Sequence, residues 1–165
     1  EDIWLPRIPR RWRTYVFALF IPLIAISQIL MLFLPVLPAI TGYPQAAVGI
    51  FLQRDYSIAY NWLARRTAQT TVVLASPLAS VWLPGWAGAR VVYGHPYETL
   101  NATQKQQEVL DWYAKTSADD CDMLLEAYNV RYILYGPEEQ ALGSAACLAD
   151  LRLLEQIGSV AVYAP

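Results

Sequence analysis

The sequence predicts an α/β protein. One N-terminal transmembrane helix is followed by a small extracytoplasmic α/β sandwich with a mainly parallel sheet and an antiparallel C-terminal hairpin. The first observation is the run from Thr14 to Gln53, which is 40 residues without a charged side chain or a histidine. The second is the composition, because 56% of the 165 residues are hydrophobic and 16% are charged, whereas soluble domains carry about 25% charged residues. The third is the alternation of helical patterns with short β-branched runs after Arg54, which predicts crossover connections between parallel strands.

Formal charge is distributed unevenly along the chain. Residues 1–53 carry a net charge of +2, and residues 54–165 carry a net charge of −4. Neither part has the basic face that binding to nucleic-acid phosphates requires, so no nucleic-acid partner is expected. The hydrophobic content also excludes an intrinsically disordered tail and an autonomous soluble enzyme. A membrane-anchored domain is the class that remains.

Residues 14–34 are predicted to form the transmembrane helix. These 21 uncharged residues would span about 31 Å as a helix, at about 1.5 Å per residue. The basic flank at residues 1–13 contains four arginines, which predicts a cytoplasmic N-terminus at a bacterial inner membrane and a periplasmic or otherwise extracytoplasmic C-terminal domain. A cleaved signal peptide is the alternative, but its apolar region is usually about 7–15 residues long.

Two features of this region predict contacts with other molecules. Gln28, near the middle of the predicted span, forms either a local backbone contact or an interhelical hydrogen bond of about 1 kcal/mol with a neighbouring subunit. Residues 35–53 are uncharged and contain three prolines, so they are too interrupted for a second span. Such an apolar segment is expected to lie on the membrane surface or against another protein. The expected partners are therefore lipid and other membrane subunits.

Residues 54–165 are predicted to form the folded domain. Three helices are expected where apolar residues recur at helical spacing, and Asn101 is expected to cap the second of them. Strands are expected where β-branched and aromatic runs end at turn residues, and Gly158 joins the last two as an antiparallel hairpin. In chain order, the predicted elements are a helix at 55–66 with an apolar stripe from Ile58 to Leu63, a strand at 71–75, a turn or short helix at 76–83, a strand at 90–93, helices at 102–115 and 118–128, and strands at 131–135, 151–157 and 159–163.

Cys121 and Cys147 are the two cysteines of the chain. An oxidising compartment would permit a disulfide between them. Cys121 also falls on the inward face of its predicted helix, so a buried free thiol is the alternative. Their spacing matches no redox, haem-attachment or zinc motif, and we therefore expect neither a metal site nor a cofactor.

Polar residues follow the predicted second and third strands, at the edge where α/β folds usually bind ligands. His95, Glu98 and Thr99 follow the second strand, while Tyr135 and Glu138 lie at the end of the third. If these two strands are neighbours, their loops converge and offer candidate sites for a polar ligand, a partner or acid–base chemistry. The alternative is a turn in which His95 bonds to the backbone and Glu98 is solvated.

Other features of the domain have both structural and functional interpretations. The sequence at Asn101 to Thr103 matches a glycosylation sequon, although helix capping by Asn101 explains it more simply. Trp82 and Trp86 either form an aromatic platform for a sugar or a partner, or line the core or a membrane interface. The sequence contains no G-x-S-x-G, P-loop or G-x-G-x-x-G motif, so no catalytic residue is assigned and hydrolase, NTPase and dinucleotide-binding functions have no support.

Four strings of the domain carry a resemblance: DYSIAYNWLARRT at 55–67, VVLASP at 72–77, RVVYGHPYET at 90–99 and VRYILYGPEE at 130–139. With them the chain resembles the C-terminal extracytoplasmic domain of large bacterial polytopic membrane proteins, together with the membrane helix that precedes it. Those proteins are similar to the C-type glycosyltransferase superfamily, which uses lipid-phosphate-linked sugars. In that superfamily the catalytic acid lies in the first extracytoplasmic loop, and this sequence has no counterpart of that loop.

The sequence therefore favours a non-catalytic function. We expect a membrane-anchored accessory subunit that stabilises or caps a larger membrane protein complex, for example a respiratory or photosynthetic electron-transfer complex. One alternative is the C-terminal part of a membrane glycosyltransferase whose catalytic half lies upstream of Glu1. A second alternative is a periplasmic ligand-binding or sensor module, with its ligand between His95 and Tyr135.

Overall fold

The structure is a computed structural model, which describes residues 10–33, 52–144 and 146–165. The chain divides into two compact units, Glu1–Ile50 and Phe51–Pro165. The first unit has one helix in its described part, α1 at Arg10–Phe33. The large apolar side chains described on α1 are all exposed, among them Leu19 at 67% and Met31 at 76%.

The structure corrects the prediction of a transmembrane helix at residues 14–34. In the described part of the chain, no helix combines the length and the apolar character that crossing a bilayer requires. Helix α1 begins at Arg10, inside the basic segment that we assigned to a flank. Its apolar run is interrupted by Pro22 and by the polar pair Ser27 and Gln28, and Ser27 donates a hydrogen bond to its own backbone at Ile24 (3.0 Å).

Several predictions for the N-terminal region fall largely outside the described residues. The basic flank at 1–13 is described only from Arg10 onward, and the apolar segment at 35–53 is described only at its last two positions. Gln28 is described and its side chain is exposed. Its interhelical hydrogen bond stays a prediction.

The second unit is an α/β domain. Its described helices are α2 at Arg54–Ala64, α3 at Pro77–Ser80, α4 at Leu83–Ala87, α5 at Ala102–Ala114, α6 at Cys121–Ala127 and α7 at Pro137–Gln140, with a 3₁₀ turn at Ala146–Leu148. Its described strands are β1 at Val72–Leu74, β2 at Arg90–Val91, β3 at Val130–Tyr135, β4 at Arg152–Ile157 and β5 at Val160–Ala164.

The five strands form one sheet in the order β2-β1-β3-β5-β4. β1 pairs in parallel with β2 and with β3, whereas β5 pairs in antiparallel fashion with β3 and with β4. The sheet is therefore mixed, with two parallel and two antiparallel pairs, rather than mainly parallel. β1 and the second half of β3 are covered by helices on both faces, which explains the apolar sequences at Val72–Leu74 and at Ile133 and Leu134.

Each face of the sheet has its own core. On one face, α2 and α4 pack against the sheet around Leu63, Leu83 and Val162. On the other face, α5 and α6 pack around Trp112 and Ile133. The two cores hold the strands at fixed positions, and with them the loops at the ends of the strands.

Two local expectations are wrong. Ile58 of α2, which was expected on the apolar stripe, is 43% exposed, whereas Tyr56 and Tyr60 are fully buried. Tyr60 can be buried because its hydroxyl donates a hydrogen bond to the carbonyl of Ala79 (2.7 Å). Asn101 precedes α5 but its side chain makes no capping hydrogen bond. Its φ of +56° lies in the left-handed region, which asparagine adopts more readily than most residues.

Candidate functional site

The carboxyl ends of β1, β2 and β3 lie at one edge of the sheet, because these three strands are parallel. We call it the C-terminal edge. Three segments leave the sheet there: Ser76 and Pro77 after β1, the loop at residues 94–100 after β2, and Gly136 after β3. Ligands of α/β folds usually bind at this position.

Glu139 of α7 lies at the centre of the C-terminal edge and is fully buried. Its Oε1 accepts a hydrogen bond from the backbone N–H of Ser76 (2.8 Å). Its Oε2 accepts from the backbone N–H of Gly136 (2.9 Å) and from the hydroxyl of Tyr56 (2.5 Å). The same hydroxyl accepts a hydrogen bond from the N–H of Glu138 (3.2 Å). We call Tyr56, Ser76, Gly136 and Glu139 the Glu139 cluster.

The local sequence explains this arrangement. Pro137 occupies the first position of α7, where its fixed φ suits a helix start. Glu139 is then the third residue, from which a glutamate reaches back to the N–H of the capping residue. A Cβ at Gly136 would lie 2.6 Å from the Tyr56 hydroxyl oxygen, so only glycine leaves room for that hydroxyl.

Burial dominates the electrostatics of the Glu139 cluster. It raises the pKa of Glu139, although the hydrogen bonds from Tyr56, Ser76 and Gly136 act in the opposite direction. Burial and the neighbouring carboxyl group of Glu139 also raise the pKa of Tyr56 and of Tyr60. Both tyrosines therefore stay protonated and can donate hydrogen bonds at neutral pH.

The Glu139 cluster is organised to hold the fold. Both carboxylate oxygens are occupied by internal donors, so Glu139 cannot reach a substrate. It instead ties the end of β1, the end of β3 and helix α2 together. The sequence analysis selected the adjacent Glu138 instead. Glu138 is also buried, at 6% exposure, and its pKa is raised by burial and, to a smaller extent, by the carboxyl group of Glu139. The proline at the helix start and the glutamate two positions later were the signal that would have identified Glu139.

The loop after β2, residues 94–100, is the second component of the edge, and we call it the His95 loop. Thr99 Oγ1 accepts hydrogen bonds from the N–H groups of Gly94 and His95 (both 3.2 Å). The His95 carbonyl accepts from the N–H of Thr99 (2.9 Å), and His95 Nδ1 accepts from the N–H of Tyr97 (3.3 Å). The loop is thus closed by its own hydrogen bonds.

The outer surface of the His95 loop combines aromatic, apolar and charged side chains. Tyr97 is 92% exposed and Leu100 is 80% exposed. The Tyr97 ring lies 5.5 Å from the His95 ring between centroids, and Glu98 is exposed beside them. An exposed aromatic ring with a nearby carboxylate can stack against a sugar or a partner side chain. The loop therefore offers a binding surface.

The two predicted loops do not leave neighbouring strands. β1 lies between β2 and β3, so β2 and β3 are about 10 Å apart at a strand spacing of about 4.8 Å. The condition under which His95 would converge with Tyr135 and Glu138 is therefore not met. Tyr135 is half-buried and packs against the core on the α5 face, where burial and then Tyr163 raise its pKa.

Cys121 and Cys147 form a disulfide across 26 residues. It joins the start of α6 to the 3₁₀ turn, and both cysteines are buried. The indole of Trp112 donates a hydrogen bond to the carbonyl of Cys121 (3.0 Å). The covalent link therefore lies inside the core on the α5 face.

The tryptophan pair is divided between core and surface. Trp82 packs against the core on the α2 face, whereas Trp86 is 46% exposed. Within residues 10–33, 52–144 and 146–165, no group of three or more His, Cys, Asp or Glu side chains is arranged to hold a metal ion.

The sheet order and the loops at its C-terminal edge define a small α/β domain with a mixed sheet. The fold is similar to the crystal structure of the C-terminal globular domain of an oligosaccharyltransferase from Archaeoglobus fulgidus, with a TM-score of 0.52. The similarity covers 70% of this chain and 99% of that domain at 14% sequence identity. At that identity it is a likeness of fold alone.

Comparison of the sequence with protein-family models and with curated proteins gives no match.

Proposed function

We propose that residues 52–165 form the extracytoplasmic globular domain of a glycosyltransferase-type membrane protein, and that this domain binds and positions rather than catalyses. One observation carries the proposal. The fold is similar to the C-terminal globular domain of an oligosaccharyltransferase, and the similarity extends over 99% of that domain. A fold alone does not determine function, so the argument for binding comes from the C-terminal edge.

The two components of that edge have different tasks in this proposal. The Glu139 cluster fixes the ends of β1 and β3, because a fully buried carboxylate with three internal donors cannot act on a substrate. The His95 loop presents Tyr97 and Leu100 to the outside. The rigid cluster therefore supports the edge from which an exposed loop makes the contact.

The disulfide supports an extracytoplasmic location. Disulfides persist in oxidising compartments and are rare in the cytosol. The bond between Cys121 and Cys147 is buried within the core on the α5 face, so it is part of the folded structure. A domain with such a bond fits the periplasm or the outer surface of a bacterial membrane.

The partner can be identified from native membranes. The full chain would be tagged, extracted in a mild detergent, and its intact particle weighed by mass spectrometry with identification of every polypeptide. The proposal expects a glycosyltransferase-type membrane region, either in the same longer polypeptide or in a stoichiometric partner. A particle that contains no such region would contradict it.

The His95 loop can be tested separately with a photo-crosslinking amino acid. At position 97 the label should link to that membrane region or to its substrate, because Tyr97 is almost fully exposed. The matched control is position 123, because Met123 is 63% exposed and belongs to α6 rather than to the His95 loop. Equal crosslinking from the two positions would show that the His95 loop is not the contact surface.

A second candidate function is an accessory subunit of a larger membrane protein complex. The observation that favours it is the exposed apolar surface of α1, on which Leu19, Leu23 and Ile26 are each more than half exposed. Apolar surface of this extent usually marks an interaction site. Recovery of several different membrane subunits, none of glycosyltransferase type, would favour this function over the first.

A further inference from the structure

A groove rich in arginine lies at the opposite edge of the sheet from the Glu139 cluster. Its volume is about 370 Å³, within the range of about 300–1,000 Å³ that is typical of small-molecule sites. Three of its lining residues are arginines, and among the described residues no carboxylate lines it. We call it the arginine groove, and its lining residues are Arg66, Thr71, Arg131, Tyr132, Arg152, Leu154 and Ala164.

The fold brings these arginines together from distant parts of the sequence. Arg66 follows the end of α2, Arg131 lies near the start of β3, and Arg152 opens β4. Arg152 pairs with Ala164 at the end of β5. All of them therefore lie at the edge where the parallel strands begin, away from the C-terminal edge.

Within the described residues, the side chains of Arg131 and Arg152 have no hydrogen-bond or ion-pair partner. The guanidinium of Arg66 lies 4.0 Å from the centre of the Trp62 ring and donates a weak hydrogen bond to the Trp62 carbonyl (3.4 Å). Glu155 is the nearby carboxylate, and it accepts a hydrogen bond from the Trp62 indole (3.1 Å).

Helix stabilisation explains only one of the three arginines. Arg66 follows the C-terminus of α2, where a cation interacts favourably with the helix dipole. Arg131 and Arg152 are on strands and have no such role. Three like charges in one groove repel each other, and residues 54–165 carry a net negative charge. The presence of three arginine side chains in the arginine groove is therefore the feature that points to an anionic ligand.

We infer that the arginine groove binds a phosphate-bearing anion of small-molecule size. Arginine forms paired hydrogen bonds with phosphate oxygens in a fixed planar geometry. The Tyr132 hydroxyl has no hydrogen-bond partner within the described residues and supplies a further donor. The inference concerns a different edge of the domain and does not depend on the proposed function.

The test is isothermal titration of the full chain with inorganic pyrophosphate at low and at high salt. We expect binding of one pyrophosphate per chain, weakened by salt because exposed charges are screened. Arg131→Gln and Arg152→Gln should each weaken binding about tenfold, the effect of losing one charge-assisted hydrogen bond. The matched control is Arg90→Gln, because Arg90 is an exposed arginine of β2 that does not line the groove, and it should change affinity less than about twofold.

A second arm distinguishes a lipid phosphate from a soluble one. The same variants would be floated with vesicles of phosphatidylglycerol and with vesicles of phosphatidylcholine. If Arg131→Gln and Arg152→Gln weaken binding to phosphatidylglycerol vesicles and Arg90→Gln does not, the ligand is a lipid headgroup. If the two groove variants weaken pyrophosphate binding but leave vesicle binding unchanged, the ligand is a soluble phosphate ester. The inference is overturned if neither probe distinguishes the groove variants from the control.

Discussion

Glu139 receives hydrogen bonds from three donors on three segments of the chain. Removal of any one of these donors should lower the free energy of unfolding, because the buried carboxyl oxygen that loses its donor is left without a hydrogen bond and without water. The hydroxyl of Tyr56 is a side-chain donor, and the substitution Tyr56→Phe removes it with little change in the volume of the core. Single substitutions at Tyr56 and Glu139 therefore test the structural role of the cluster directly.

Tyr56→Phe should lower the free energy of unfolding by about 1–3 kcal/mol, because Glu139 Oε2 loses its hydroxyl donor and the N–H of Glu138 loses its acceptor. Urea unfolding followed by circular dichroism measures the change. The matched control is Tyr97→Phe, since that hydroxyl belongs to a residue that is 92% exposed and its loss should change stability by less than about 0.5 kcal/mol. Equal effects of the two substitutions would contradict the structural role of the cluster.

The raised pKa of Glu139 predicts a pH dependence of stability. The folded state keeps the proton of Glu139 to a higher pH than the unfolded state, whose glutamate has a pKa of about 4.3. The stabilisation is therefore complete below about pH 4.3 and is lost as the pH rises through the raised value. The stability difference between the native chain and Glu139→Gln, measured by urea unfolding at pH 4 and pH 7, should be smaller at pH 7. A difference that grows with pH would mean that the hydrogen bonds outweigh burial.

At the residue scale, the sequence predicts a role for Glu138 at the C-terminal edge, whereas the carboxyl group that joins the ends of β1 and β3 is that of Glu139. The pattern of Gly136, Pro137 and two glutamates marked the end of β3, yet a glutamate in a turn is usually solvated. The burial of Glu139 depends on the hydroxyl of Tyr56, which is 83 residues away in sequence. Contacts of that range are set by the packing of α2 on the sheet, which local patterns do not specify.

Among the elements, the hairpin of β4 and β5 depends on its turn. Gly158 has a φ of +56°, and a Cβ there would collide with the carboxylate of Asp55. Asp55 Oδ2 accepts hydrogen bonds from the N–H and the hydroxyl of Ser159 (both 2.8 Å), and these bonds lower the pKa of Asp55. The turn is therefore joined to the start of α2.

Gly158→Ala should destabilise the domain by about 1 kcal/mol or more, because the left-handed backbone is strained for alanine and the new Cβ displaces Asp55. Thermal unfolding of the variant measures the loss. Gly85→Ala is the matched control, since a Cβ at that position in α4 meets no atom within 4 Å, and it should be neutral or stabilising by up to about 1 kcal/mol. A loss of Tm in Gly85→Ala as large as in Gly158→Ala would contradict this account of the turn.

The elements of the domain were the most predictable part of the structure. The strand predicted at 131–135 and the hairpin around Gly158 match β3, β4 and β5 to within one or two residues. Helical spacing and β-branched runs are local signals, so they can be recognised in the sequence without knowledge of the fold. The order of β2, β1 and β3 is not local, and the sequence therefore could not show that β1 separates the two predicted loops. The prediction of a membrane-spanning helix at residues 14–34 was wrong, because no helix among the described residues has the length and apolar character that crossing a bilayer requires.

For the whole molecule, the disulfide is a measurable source of stability. A bridge that closes 26 residues should contribute about 3–4 kcal/mol, mainly by restricting the unfolded chain. The double variant Cys121→Ala/Cys147→Ala should lose that amount in urea unfolding. A reductant should destabilise the native chain and leave the double variant unchanged. If the reductant has no effect on the native chain, the bridge does not contribute to its stability.

Both borders of the sheet limit how copies of this domain can associate. β2 is only two residues long, and β4 carries Arg152 and Glu155 with an irregular register between Leu153 and Glu155. Short strands, charges and bulges at a border all hinder the addition of a further strand from another molecule. At high protein concentration, these borders protect the domain from amyloid-like polymerisation, even though its interior strands are rich in valine.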